Sequence, residues 1–109
     1  MFNIKFTPEA IEDIRLLRKR ERKQAIEGIE TQLKYQPAQE TRNRKRLRPN
    51  EVAEWELRVG KFRVFYDVDM ENKFVKVEAV GFKKGSKLFI HGEEYKLWKQ
   101  SEYLSGLNG

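Results

Sequence analysis

The stretch WELRVGKFRVFYDVDMENKFVKVEAVG, from Trp55 to Gly81, decides the fold. Trp55, Leu57 and Val59 alternate with Glu56 and Arg58, and Gly60-Lys61 then separates this run from a second one. Two residues with glycine first, set between apolar runs, signal a tight β-hairpin. In the second run Phe62, Val64, Tyr66 and Val68 alternate with Arg63, Phe65 and Asp67. Asp69 to Asn72 supplies a second turn, after which Val75, Val77 and Ala79 alternate with Phe74, Lys76 and Glu78. A side-chain period of two puts one set on a core face and the other on an open face. The stretch therefore predicts three consecutive antiparallel strands.

The turns also predict a register. Val59 faces Phe62, Leu57 faces Val64 and Trp55 faces Tyr66, which makes a consistent apolar face. On the other face Arg58 lies opposite Arg63, and like charges directly opposed on a sheet are unfavourable unless a negative group sits nearby. Glu56, diagonal to Arg63, and Glu78, opposite Arg63 across a four-residue second turn, supply that group in one reading. A bound phosphate supplies it in the other. From the sheet alone the ion-pair ladder is the favoured reading, because charged ladders on solvated faces are ordinary.

The 109 residues suffice for one compact domain and are too few for two. Residues 1–109 are expected to form that single domain, with a core over about residues 1–90 and an extension at 91–109. Hydrophobic residues make up 39% and charged residues 37%, so a modest core lies under a heavily charged surface. The formal charge of +6 and a pI near 9.6 favour an acidic partner, namely nucleic acid, an acidic protein or an anionic surface. No apolar run approaches the roughly 20 residues of a membrane span, and no secretory signal opens the chain. A cytoplasmic protein without membrane contact is expected. Without cysteine there are no disulfides or thiolate zinc sites, and a single histidine argues against a metal site or any metal cofactor.

Phe2 to Phe6 alternates and reads as a short strand. Thr7-Pro8-Glu9 is a helix start: a capping hydroxyl, proline at the first helical position, and an acid in the first turn. Ala10, Ile11, Ile14 and Leu17 form one apolar stripe, and Ala25, Ile26, Ile29 and Leu33 a second. At about 100° per residue the stripes lie a quarter turn out of phase, which predicts two helices with a break near Arg18 to Arg22. Gly28 costs a helix up to about 1 kcal/mol relative to alanine and permits close packing on the sheet. Pro37 ends the second helix.

Gln39 to Asn50, QETRNRKRLRPN, has no apolar periodicity and is expected to be a loop. Arg42, Arg44, Lys45, Arg46 and Arg48 cluster there without compensating acids. They fit a solvated surface loop and a footprint on nucleic-acid backbone about equally. After Gly81, itself a candidate bulge, plain alternation would turn Lys83 toward the core, which a lysine avoids. Gly85-Ser86 suggests a turn, Leu88 to Ile90 a short strand, and Tyr95 with Trp98 one face of a short helix.

Taken in order, strand, helix, helix, basic loop and meander resemble the RelE/ParE toxin superfamily of bacterial type II toxin–antitoxin systems. The residues that carry the resemblance are Lys45-Arg46-Leu47-Arg48, Trp55 to Gly60, Phe62 to Val68, and Ala79-Val80-Gly81-Phe82-Lys83-Lys84. It covers roughly residues 1–90. It implies an α+β fold, with two N-terminal helices packed on one face of a small twisted antiparallel sheet. It also implies a toxin neutralised by an acidic antitoxin. Many members of the superfamily cleave mRNA in the ribosomal A site without a metal or other cofactor. Others, the ParE branch, inhibit DNA gyrase, and a non-toxic binding module of the same fold is a further alternative.

RNA cleavage needs a base for the ribose 2′-OH, fixed positive charge for the phosphate, and an acid for the leaving 5′ oxygen. The resemblance assigns Arg63 and Lys83 to the phosphate. His91, which has the one side chain with an ordinary pKa near neutrality, suits proton transfer. The expected catalytic residues are thus Arg63, Lys83 and His91. Arg44, Lys45, Arg46, Arg48, Arg58, Lys61, Lys84 and Lys87 are the expected nucleic-acid contacts. Two departures stand out. Glu54 and Glu56 occupy positions where the best-known nuclease type has lysines, and Phe89 falls where a tyrosine is expected. Glu54 or Glu56 can act as a base or pair with Arg58 or Arg63, and Tyr95 is a further stacking or acid candidate.

Overall fold

The computed structural model describes residues 1–95. The elements are β1 (Asn3–Phe6), α1 (Pro8–Arg15), α2 (Lys19–Leu33), β2 (Arg44–Arg46), β3 (Trp55–Val59), β4 (Phe62–Asp69), β5 (Phe74–Lys84), β6 (Lys87–Ile90) and β7 (Glu93–Tyr95). The sheet runs β2-β3-β4-β5-β6-β7 with antiparallel neighbours, and β1 adds a parallel pairing to the first part of β5. The α+β architecture is the expected one, with β1 its one parallel member. Among the described residues no helix is long and apolar enough to cross a membrane.

Thr7 caps α1 by accepting from the Ala10 N–H at 3.1 Å, and Pro8 stands where no N–H is needed. The break between helices falls at residues 16–18, earlier than the stripe phase suggested. Arg22 closes it by donating to the carbonyls of Arg15 at 3.1 Å and Leu17 at 3.2 Å, groups that a helix end leaves unpaired. Ala10 and Ile14 from α1, with Ile29 and Leu33 from α2, bury against Trp55, Leu57, Val64, Tyr66, Val75 and Val77 of the sheet. The Trp55 and Tyr66 rings stack at 6.2 Å, and the buried Tyr66 hydroxyl donates to the Pro37 carbonyl at 2.8 Å. Gly28 lets α2 approach β3: a Cβ there would lie 2.7 Å from both methyls of Val59.

The expected register holds in the first hairpin. Val59 pairs with Phe62, Leu57 with Val64, Trp55 with Tyr66, and Arg58 with Arg63, with Gly60 at φ 58° in the turn. The second hairpin departs from expectation. Asp69 pairs with Phe74, so the turn is residues 70–73, and the register then shifts between Tyr66, opposite Val77, and Phe65, opposite Ala79. Glu78 is the extra residue of a bulge, and an odd residue reverses the alternation beyond it. Three expectations change as a result. Arg63 faces Gly81, not Glu78. Ala79 leaves the helix face and packs beside Phe65. Lys83 joins the open face, and the bulge that releases it lies three residues before Gly81.

The segment Gln39 to Asn50, expected to be all loop, contains β2, a charged edge strand on β3. Residues 47–54 then fold across part of the open face. Leu47, Val52 and Ala53 cover Phe65, Ala79, Leu88 and Ile90 in a second small core. Tyr95 joins that cluster from β7, a strand where a short helix was expected. Trp98, its expected helix partner, lies outside the described residues.

One edge of β5 needs closing. β1 pairs with it as far as Val77, and β6 rejoins at Phe82. Across the gap the Thr7 hydroxyl donates to the Glu78 carbonyl at 3.1 Å, and the Val80 N–H donates to buried Asp13 at 2.9 Å. The other Asp13 oxygen lies 2.8 Å from His91 Nδ1, which anchors the β6–β7 turn to α1.

Two stability measurements follow from this packing. Gly28→Ala lowers stability by about 1 kcal/mol in chemical denaturation, because overpacking outweighs the helix gain. In a Val59→Ala background the same change becomes stabilising, and an unchanged sign there would refute the contact. Asp13→Ala costs roughly 1–3 kcal/mol by stranding the Val80 N–H. Adding His91→Ala to it costs little more, whereas strictly additive losses would show that the two side chains are uncoupled.

Candidate functional site

The face of the sheet away from the helices carries a charged cluster. Arg58 on β3, Arg63 on β4 and Gly81 on β5 stand side by side in one row. Glu56, one step along β3, faces Lys45 of β2 on one side and Phe65 on the other. Lys83, one step beyond Gly81, is exposed, and its N–H donates to the Lys61 carbonyl at 2.8 Å. Lys45, Arg58 and Arg63 thus gather around one carboxylate, Glu56, while Lys83 stands on the same face two strands away, on the other side of the arginine row.

Arg63 is half-buried and held by its own hairpin. Its Nη1 donates to the carbonyls of Gly60 at 2.8 Å and Phe62 at 2.9 Å. Burial lowers its pKa from the usual arginine value, Glu56 opposes that shift, and Arg58 adds to it. An arginine so far above neutrality stays charged. The Glu56 side chain is 14% exposed and lies 3.7 Å from Arg58 Nε. The ion-pair reading of the ladder is therefore half right: Glu56 serves it and Glu78 does not. Glu78 instead meets Lys76 at 3.0 Å, and its carboxyl is pushed up by burial and by a hydrogen bond with Asp67, against the lysine.

The other expected residues fall into distinct places. His91 lies at the far end of β6, on Asp13 of α1, and does not join the Arg63 cluster. Arg44 is buried. It donates to the Gln39 carbonyl at 3.0 Å and to the Gln32 carbonyl and side chain at 2.7 and 3.2 Å, which ties the loop to the end of α2. Arg46 lies over the Trp55 ring at 5.6 Å and pairs with Glu54 at 3.7 Å, so acids do compensate the basic segment. Lys61 binds Glu21 of α2 at 2.7 Å. Arg48 lines a cavity of about 610 Å³ under residues 46–54, which Glu54, Asp67 and Glu78 also line. Lys84 and Lys87 pair across the β5–β6 hairpin, both exposed.

The two departures from the nuclease pattern also acquire a geometry. Phe89 stacks on Phe82 at 5.3 Å, on the side away from Arg63, so the absent hydroxyl would not have faced this cluster. Tyr95 is the phenol on the open side of the C-terminal strands. Its hydroxyl donates to Glu51 at 3.4 Å, and burial, then Glu51, raises its pKa. The sequence offers Lys45 as one cation of a basic run and a candidate nucleic-acid contact, without showing that it stands beside Glu56. Its place beside Glu56 follows from the β2–β3 register, which a three-residue strand of cations does not announce. Among the described residues no group of three or more His, Cys, Asp or Glu side chains is placed to hold a metal ion.

Comparison with known proteins finds a family match and structural matches. Residues 4–84 match the family described as the ParE toxin of the type II toxin–antitoxin system parDE. A chain of the RelBE2 toxin–antitoxin complex from Mycobacterium tuberculosis superposes with a TM-score of 0.66 at 26% identity, covering 75% of this chain and 91% of that one. No curated protein sequence matches significantly. A family match over residues 4–84 of 109, together with this fold, means that the chain belongs to the RelE/ParE superfamily and is a toxin of a type II toxin–antitoxin system.

Proposed function

We propose that this toxin is a ribosome-dependent mRNA endonuclease that stops translation and whose reactive centre is the open sheet face. The observation that carries this reading is one part-buried carboxylate, Glu56, flanked by Lys45, Arg58 and Arg63 on an accessible face that also holds Lys83. Arg63 and Lys83 bind the scissile phosphate, the guanidinium through its planar fork. Glu56 takes the proton from the ribose 2′-OH. The 2′ oxygen then bonds to phosphorus, the bond from phosphorus to the 5′ oxygen breaks, and the leaving oxygen takes a proton from the Lys83 ammonium. The products are a 2′,3′-cyclic phosphate and a 5′-hydroxyl end. His91 holds the β6–β7 turn in place on Asp13 and performs no proton transfer. In the cytoplasm a cognate antitoxin with an acidic segment covers this basic surface and silences it.

A second reading is inhibition of DNA gyrase without hydrolysis. The ParE description of the matching family favours it, as do Glu54 and Glu56 in place of lysines. Incubating purified toxin with mRNA-programmed ribosomes and mapping the RNA ends separates the two. We expect cleavage that falls about 10²–10³-fold in Arg63→Ala and at least about 10²-fold in Glu56→Gln, with both variants folded. Intact mRNA alongside blocked gyrase supercoiling would replace the nuclease by the gyrase inhibitor.

A further inference from the structure

Helix α2 is built electrically backwards. Aligned peptide dipoles leave the start of a helix positive and its end negative, so acids belong at the start and cations at the end. Residues 15–23, RLLRKRERK, instead hold six cations and one acid, and the last turn of α2 has no basic residue. The one acid, Glu21, is taken by Lys61 of the β3–β4 hairpin at 2.7 Å, which lowers its pKa. Arg22 is spent on the carbonyls that end α1. Lys19, Arg20 and Lys23 are left exposed, with like charges at helical spacings of three and four that repel one another. Lys23 meets Glu27 only at 4.0 Å, and Lys19 and Arg20 contact no carboxylate among the described residues. A rule of helix design broken without an internal gain marks a place adapted to an external contact.

The location identifies the contact. Lys61 joins this turn of α2 to the reactive face, since its side chain holds Glu21 and its carbonyl accepts from Lys83. The start of α2 and the β5–β6 hairpin therefore meet at one end of the sheet. The β4–β5 turn, with Asp69 and Glu71, stands at the other end. Lys19, Arg20 and Lys23 have no apolar side chain between them on the outer surface of α2, and the exposed Leu16 lies before its first turn. An acidic peptide that folds on binding would need one, whereas a phosphate backbone needs only charge.

We propose that Lys19, Arg20 and Lys23 form a second grip on the phosphate backbone of a folded RNA, off the reactive face and continuous with it through Lys61. While the sheet holds the strand to be cut, this grip holds the RNA scaffold that presents it. That division of labour rests on the nuclease reading; the grip itself requires only that the toxin bind RNA.

The test uses the full chain and its variant Lys19→Glu/Arg20→Glu/Lys23→Glu. Binding to 70S ribosomes and to a labelled RNA hairpin is measured across salt concentrations. We expect at least a tenfold weaker affinity near physiological salt. The plot of log affinity against log salt should be shallower by about 2, roughly 0.7 for each lost phosphate contact. Half-maximal cleavage should need correspondingly more ribosomes. If charge reversal prevents folding, the glutamine triple variant is read in the same way, with a smaller shift in the same direction. Unchanged affinity and slope would overturn the grip, as would weakened antitoxin binding with RNA binding intact. A wild type that binds RNA but never cleaves it refutes the nuclease reading and leaves the grip standing.

Discussion

A single unpaired residue, Glu78, settles what the second half of β5 is for. Before it Val75 and Val77 face the helices; after it Val80 and Phe82 do, and Gly81 and Lys83 face the other way. Without the extra residue Lys83 would point into the core, and Arg63 would lose Lys83 from its face. The bulge sits where β1 leaves β5 and the chain turns into α1. There the β5 backbone exchanges strand pairing for side-chain partners, Thr7 on the Glu78 carbonyl and Asp13 on the Val80 N–H. Buried backbone groups must find partners, so α1 and the bulge define each other. The charged open face depends on a capping residue and a buried acid on the opposite side of the sheet.

That dependence explains what the sequence made legible. A two-residue turn fixes register locally, so the pairing of Arg58 with Arg63 could be read from Gly60-Lys61. The bulge could not be, because its determinants, Thr7 and Asp13, are 71 and 67 residues from their partners. Each misplacement of Ala79, Gly81 and Lys83 descends from that one long-range event. The basic segment misled for a different reason. Composition counts charges without showing which are occupied, and the Arg44 guanidinium is consumed by carbonyls at the end of α2. β2 escaped notice because an edge strand is often charged, which keeps it from pairing with other chains and removes the alternation that reveals a strand.

His91 shows how residue chemistry and residue position can part company. Its imidazole suits proton transfer, and nothing local to HGEEY argues otherwise. Yet the seam between β1 and β6 needs a partner for the second oxygen of a buried carboxylate, and His91 at the β6–β7 turn is the group that reaches it. A lone histidine on a turn is thereby made part of the scaffold. Beside Arg58 and Arg63 the open face keeps Glu56 as the carboxylate.

The ion-pair role of Glu56 and the proposed catalytic one are compatible, because they belong to different states of the site. Arg58 and Arg63 face each other across a strand pair and require a negative charge whenever the face is empty. Glu56, mostly buried between them and Lys45, supplies it. An incoming phosphodiester brings its own negative charge to the same guanidiniums, which then turn to oxygens they can hold bidentately. In the proposed reaction the carboxylate is released from that duty at the moment a ribose hydroxyl lies beside it. A lysine at this position would add a further cation to Lys45, Arg58 and Arg63. A glutamate here balances the paired arginines on the empty face, and those same neighbours would gather the substrate in the proposed reaction.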